Sequence, residues 1–267
     1  MLFCYLCEVL NDKLKLMKLA LIQMDIAWGN PKANQAHAEQ LILSTPGADV
    51  YVLPEMFSTG FCTVPETYAE QLEDSTSLQW MKTTAHQMDA AIAGSLLVTD
   101  GEHYYNRFYF VFPDGQYEYY DKRHLFTFGG EHLTFTAGTR KVIVNFRGVR
   151  ILLQVCYDLR FPIFSRNTPD NPYDLALYVA SWPTPRISAW EALTVARALE
   201  NQCYVGAVNR IGTDPSIGYQ GGTFLIDAYG RRVGEVATDT EGVLVETLAL
   251  EKLARFRKKF PVLNDRD

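Results

Sequence analysis

The chain has 267 residues, 48% of them hydrophobic and 21% charged, a composition that builds a folded core and excludes a disordered chain. A formal net charge of -6 with no long run of Lys or Arg excludes the electrostatic footprint of a nucleic-acid or anionic-membrane binder, so the expected ligand is small. No apolar stretch reaches the roughly 18 residues of a membrane helix, and five cysteines, an odd number in a chain too large to need staples, suit the reduced thiols of a cytoplasmic protein.

At the N-terminus, "MLFCYLCEVLNDKLKLMK" carries Glu8, Asp12 and Lys13 and lacks a small-residue cleavage site, so it does not read as a secretion signal. Cys4 and Cys7 form a C-x-x-C, but no second pair follows at zinc-site spacing, and no metal is expected. "KLALIQMD" then predicts a buried strand. "NPKANQAHAEQLILS" predicts a helix with Asn30 as N-cap and Pro31 in its first position. Next come a strand in "ADVYVLPE" closed by Pro54, a helix in "SLQWMKTTAHQM" and a strand in "AAIAGSLLV".

"HYYNRFYFVF" and "GQYEYYDK" are joined by "PDG", a hairpin signal, and two more strands, "KVIVNF" and "VRILLQVCYD", meet at Arg147-Gly148. Strand "DLALYVAS", helix "ISAWEALTVARALENQ", strands "CYVGAVNRI", "GGTFLIDAYG" and "GVLVETL", and helix "EKLARFRKKF" complete the pattern. Strand-helix units mixed with hairpins predict an α/β layered sandwich with helices outside the sheets. Ile187, Trp190 and Leu193 form an apolar stripe on one helix, which predicts packing on its own sheet.

Three predicted strands end on a polar residue: Glu55 in "VLPEMF", Lys122 in "YYDKRHLF" and Cys156 in "QVCYD". Each alone reads as a solvated strand end or, for the cysteine, as core packing. Together they supply what covalent acyl transfer requires: a thiol nucleophile, a carboxylate to take its proton and a cation for the developing oxyanion. No G-x-S-x-G elbow, phosphate loop or dinucleotide fingerprint competes with them.

"LPEMF", "YDKRHLF" and "CYDLRFP" occur in the order of the Glu-Lys-Cys triad of the nitrilase superfamily of carbon-nitrogen hydrolases, which this chain resembles over residues 17–267. The resemblance implies a nitrilase-type α-β-β-α sandwich of two mixed sheets flanked by helices, working without a cofactor. It further implies Cys156 as nucleophile, Glu55 as general base, Lys122 as oxyanion-side cation and Glu131, in "FGGEHLTFTAG", as a second carboxylate orienting Lys122 or the substrate. The backbone N–H of Tyr157 is expected to join Lys122 on the oxyanion. Asp158 and Arg160 are expected to form a local ion pair that sets the turn, and His124 and His132 to line the site or pack. Residues 1–16 have no counterpart in the family pattern and are expected to be an extension, for which a mis-assigned start codon is one explanation.

Residues 173–212 are similar to the omega-amidase branch, which acts on the terminal amide of 2-oxo dicarboxylic acid monoamides. That implies a substrate carboxylate, for which Arg160 and Arg186 are the candidates, and a short carbon chain walled by Trp182, Phe128 and Tyr157. The family also implies a homodimer, with the Ile187, Trp190, Leu193 stripe near the subunit contact. Two other readings stay open: another carbon-nitrogen hydrolase, such as an N-carbamoyl amino acid amidase or a nitrilase, and a catalytically silent binding protein on the same fold.

Overall fold

The structure is a computed structural model and describes residues 16–266; the Cys4 and Cys7 pair and the expected extension, Leu16 apart, lie outside the described residues. In β1 (Leu16–Gln23), Leu19 and Leu21 belong to one core and Ala20 and Ile22 to another. Strict alternation with apolar residues on both faces makes this a strand covered on both sides. Helix α1 (Pro31–Ser44) starts where the sequence predicts, because the Asn30 side chain accepts a hydrogen bond from the Ala33 N–H at 3.2 Å and Pro31 occupies the first turn.

Strands β2 (Val50–Val52) and β3 (Glu70–Gln71) are followed by α2 (Thr76–Met88), which Ser75 caps, and then by β4 (Ala91–Thr99), β5 (Tyr104–Val111) and β6 (Tyr117–Asp121). The second half contains β7 (Ile143–Phe146), β8 (Val149–Val155), the short α3 (Pro162–Ser165), β9 (Leu175–Ala180) and α4 (Ile187–Asn201). It continues with β10 (Tyr204–Asn209), β11 (Ile211–Thr213), β12 (Gly218–Gln220), β13 (Phe224–Ile226), β14 (Arg232–Glu235), β15 (Gly242–Ala249) and α5 (Leu250–Lys259).

The first sheet has the order β15-β1-β2-β4-β5-β6 with β3 beside β4, and the second the order β14-β13-β10-β9-β8-β7. Both are mixed. β1, β2 and β4 run parallel in one, and β8, β9 and β10 in the other, with antiparallel strands at the flanks. Leu19, Leu21, Val52 and Phe108 of the first sheet share a core with Leu153, Val155 and Leu177 of the second. α1 and α2 cover the outer face of the first sheet through Ile42, Leu78 and Met81, and α4 covers the second through Trp190 and Ala198. This is the predicted α-β-β-α sandwich. At Gly206 a Cβ would sit 2.8 Å from the side chain of Leu177, its partner on the neighbouring strand β9, and 3.5 Å from Leu21 of the facing sheet, which is why β10 carries a glycine.

Trp190 is fully buried against the second sheet, with Ile187 and Leu193 packed partly buried beside it, so the stripe on α4 serves its own sheet. The strand predicted over 149–158 stops at Val155, because Cys156 turns the chain. Among the described residues no helix is long and apolar enough to cross a membrane.

Candidate active site

Glu55 follows β2 at the point where Pro54 ends the strand. Met56, in the left-handed region at φ 44°, sends the chain away, and its N–H is held by Ser95 Oγ at 2.8 Å. The Glu55 side chain is fully buried. Its Oε2 accepts from the backbone N–H of Ser181, just past β9, at 2.8 Å, and its Oε1 accepts from Asn106 Nδ2 at 2.8 Å and Lys122 Nζ at 2.9 Å. Three donors on one carboxylate fix its plane and satisfy its buried charge.

Lys122 leaves β6 with its backbone N–H on Asn106 O, and its buried ammonium lies between Glu55 and Glu131. Glu131 opens a one-turn helix (Glu131–Leu133), is fully buried, and reaches Lys122 Nζ at 2.9 Å; its Oε2 also accepts from the Phe126 N–H at 2.5 Å. Burial disfavours the Lys122 ammonium, but the carboxylates of Glu131 and Glu55 outweigh it and raise its pKa, so it stays charged. Burial raises the Glu131 carboxyl above its ordinary value against the pull of Lys122. His132, expected to line the site or pack, is exposed, because Glu131 takes the inward position of that single turn.

Cys156 is the first residue of a 3₁₀ turn (Cys156–Arg160) and adopts φ 45°, a conformation costing a non-glycine residue roughly 1–3 kcal/mol. Its thiol pKa lies well above the ordinary range, pushed up by burial first and then by Glu55, with Lys122 pulling it down. Burial and the neighbouring Glu55 thus both favour the neutral thiol over the thiolate, and Lys122 opposes them.

The expected ion pair between Asp158 and Arg160 does not form. Asp158 is fully buried: its Oδ2 accepts from Tyr120 OH at 2.8 Å and the Val155 N–H at 3.1 Å, and its Oδ1 accepts from the His124 N–H at 2.9 Å and contacts His124 Nδ1 at 2.8 Å. The turn is thus set by neighbours from the first-sheet side, and His124 packs, stacked on Phe161 with ring centroids 4.1 Å apart. Arg160 points away and lies over the Trp182 ring, 5.0 Å from its centroid.

Glu55, Lys122 and Cys156 line one cavity of about 430 Å³ together with Arg160, Trp182 and Arg186. Tyr157 lines it too, packed edge-on against Phe126, while Phe128 stands at its rim, 85% exposed. Arg186 lies over Phe126 and Phe128, and among the described residues neither Arg160 nor Arg186 has a carboxylate partner. Both guanidiniums are open to an anion.

Sequence reasoning missed Asn106, whose amide bridges Glu55 and Glu131 at 2.8 and 3.2 Å, although a lone amide in the aromatic strand "YYNRFYF" was a usable signal. It also missed the β11-β12 hairpin, which brings Asp214 and Tyr219 to the cavity wall, joined at 2.5 Å. Among the described residues no group of three or more His, Cys, Asp or Glu side chains is placed to hold a metal.

A thiol, an ammonium and a carboxylate thus line one cavity, with the Glu131 carboxylate buried against the ammonium, and the carbon-nitrogen hydrolase family model matches residues 18–258. The chain belongs to that family. It is 43% identical over 252 residues to a protein of Yersinia enterocolitica named omega-amidase YafV, covering 94% of this chain and 97% of that one. A Bacillus subtilis protein named 2-oxoglutaramate amidase is 34% identical over 250 residues, covering 92% of this chain and 96% of its own. In structure the chain is similar to XC1258 of Xanthomonas campestris, a CN-hydrolase superfamily protein with an arsenic adduct in its active site. The TM-score is 0.91 at 39% identity, over 94% of this chain and 97% of that one.

Proposed function

We propose that this protein is an omega-amidase that hydrolyses the terminal amide of a 2-oxo dicarboxylic acid monoamide, 2-oxoglutaramate or 2-oxosuccinamate, to the 2-oxo acid and ammonia. The observation that carries this reading is the burial of Glu55, Lys122 and Glu131 as one hydrogen-bonded group, of which Glu55 and Lys122 line a cavity together with Cys156 and two arginines that have no carboxylate partner among the described residues. The similarity to proteins named for this activity supports it.

Cys156 Sγ attacks the amide carbon while Glu55 takes the thiol proton, and the carbonyl oxygen becomes an oxyanion held by Lys122 Nζ and the Tyr157 N–H. Glu131 holds Lys122 in place. As the intermediate collapses, the C–N bond breaks and the nitrogen receives the proton that Glu55 took from the thiol, directly or relayed through Lys122, which gives one proton to the nitrogen and regains one from Glu55, so that Glu55 is a carboxylate and Lys122 an ammonium again. Ammonia departs and leaves a thioester on Cys156. Glu55 then takes a proton from water, whose oxygen attacks the thioester, and the thiol is restored. No cofactor enters this sequence.

Arg160 and Arg186 are the proposed readers of the substrate carboxylate, with Tyr157, Trp182 and Phe128 walling its carbon chain. Steady-state ammonia release from 2-oxoglutaramate and from a neutral amide of the same length tests this. Replacing the responsible arginine by Met is expected to raise KM for 2-oxoglutaramate by about tenfold or more with kcat nearly unchanged, and to spare the neutral amide. Equal effects on both substrates in both Arg160→Met and Arg186→Met would remove the arginines from this role. Turnover of N-carbamoyl amino acids or nitriles in place of 2-oxoglutaramate would favour another carbon-nitrogen hydrolase.

A cytoplasmic homodimer is the proposed state. The half-buried Ile187 and Leu193 leave part of the α4 stripe open to a second copy. Light scattering is expected to give twice the chain mass, and a monomer mass at working concentration would contradict it.

A further inference from the structure

Cys156 holds a left-handed backbone conformation, so the turn that begins with it persists only where its surroundings over-determine it. Asp158 ties the middle of the turn to Tyr120 and His124 on the first-sheet side. The far end is gripped from the opposite side. Arg197 of α4, 3% exposed, donates from Nη2 to the carbonyl oxygen of Leu159 at 2.5 Å, and from Nη1 to Glu200 Oε1 at 2.9 Å. The last carbonyls of a helical turn have no partner within it, and a cation is favourable at that end.

We propose that Arg197 is a positioning residue for Cys156: by clamping Leu159 O, it fixes the exit of the turn whose entry presents the sulfur. Glu200, which also faces Arg166, already gives the buried guanidinium a counter-charge at Nη1. The reach inward to a carbonyl 38 positions away therefore needs another reason. With Asp158 on one side and Arg197 on the other, the five-residue turn is held from both sheets' sides, and Cys156 cannot relax to a right-handed conformation that would swing Sγ away from Glu55. A misplacement of about 1 Å at a reacting atom is enough to cost on the order of a hundredfold in rate. This inference rests on the reading of Cys156 as nucleophile.

Arg197→Met, Arg197→Lys and the control Thr194→Val test it. The buried hydroxyl of Thr194 bonds only within α4, to the carbonyls of Trp190 and Glu191, so its loss disturbs the same helix without touching the turn. Two quantities are read well below the melting temperature: kcat and KM for 2-oxoglutaramate, and the alkylation rate of Cys156 by iodoacetamide, which does not depend on the identity of the substrate. Arg197→Met is expected to lower kcat by roughly ten- to a hundredfold with KM within about threefold, and to slow alkylation of Cys156. Arg197→Lys should recover part of both, and Thr194→Val should keep wild-type values. A folded Arg197→Met enzyme with wild-type kcat and alkylation rate, or an equal loss in Thr194→Val, would overturn the proposal. If Arg197→Met does not fold, Arg197→Lys decides, because one ammonium cannot serve Leu159 O and Glu200 as the guanidinium fork does. Wild-type kcat and alkylation in that variant would overturn it too. An enzyme inactive on 2-oxoglutaramate whose Cys156 alkylation still depends on Arg197 would refute the substrate assignment alone.

Discussion

Replacing Cys156 by Ala is expected to lower kcat for 2-oxoglutaramate by at least about 10⁴-fold, as loss of a covalent nucleophile does in hydrolases where it has been removed. No neighbouring group can take over, because the buried carboxylates and ammonium around it serve the attack of another atom and the nearest cavity-lining thiol, Cys62, is bonded to the backbone of Val64 and buried. The fold should survive. Cys156 is only half-buried at the edge of two cores, and alanine meets the same backbone strain at φ 45°, so the melting temperature should stay within about 5 °C of wild type. Ammonia release and thermal unfolding on the same sample check both halves.

Lys122→Met is expected to remove activity and to cost about 3–5 kcal/mol of stability, because it leaves Glu55 and Glu131 buried without the ammonium between them. The loss should depend on pH with a definite sign. In the wild type the raised Lys122 pKa means that its contribution is fully present below the ordinary lysine range and is lost only as pH rises through the folded value. Without it, two like charges sharing the Asn106 amide are relieved when one carboxylate takes up a proton, which raises that folded pKa above its unfolded value. An acid raised in this way binds its proton more tightly when folded, so its stabilising proton is lost as pH rises. The gap between variant and wild type in urea unfolding should therefore widen from about pH 5 to about pH 8. A gap that does not change with pH would contradict this account of the pair.

Much of the architecture was legible because its signals are local. Asn30 and Pro31 mark the start of α1 within four residues of sequence, and Pro54 and Cys156 mark where strands β2 and β8 give way to turns. The sandwich followed from strands that are apolar on both faces, such as β1, combined with the family resemblance. What escaped was set by distant partners. Ser181 holds Glu55 across 126 positions, Asp158 meets Tyr120 across 38, and Arg197 meets Leu159 across 38; none of these separations leaves a periodic trace. The expected Asp158 and Arg160 pair failed for the same reason, since proximity in sequence suggested a partner that the fold replaced with Tyr120 and His124. Short elements such as β3, β14 and the β11-β12 hairpin have too few residues to show a period, yet the hairpin supplies part of the cavity wall.

The central claim, that Cys156 carries the acyl group of a 2-oxo acid amide through a thioester, is tested most directly by mass spectrometry of enzyme quenched in acid while turning over 2-oxoglutaramate. The account predicts a protein heavier by the substrate minus ammonia, with the added mass on the peptide that contains Cys156 and absent from Cys156→Ala. Acylation at a different residue, or ammonia release that continues undiminished once Cys156 has been alkylated, would contradict it.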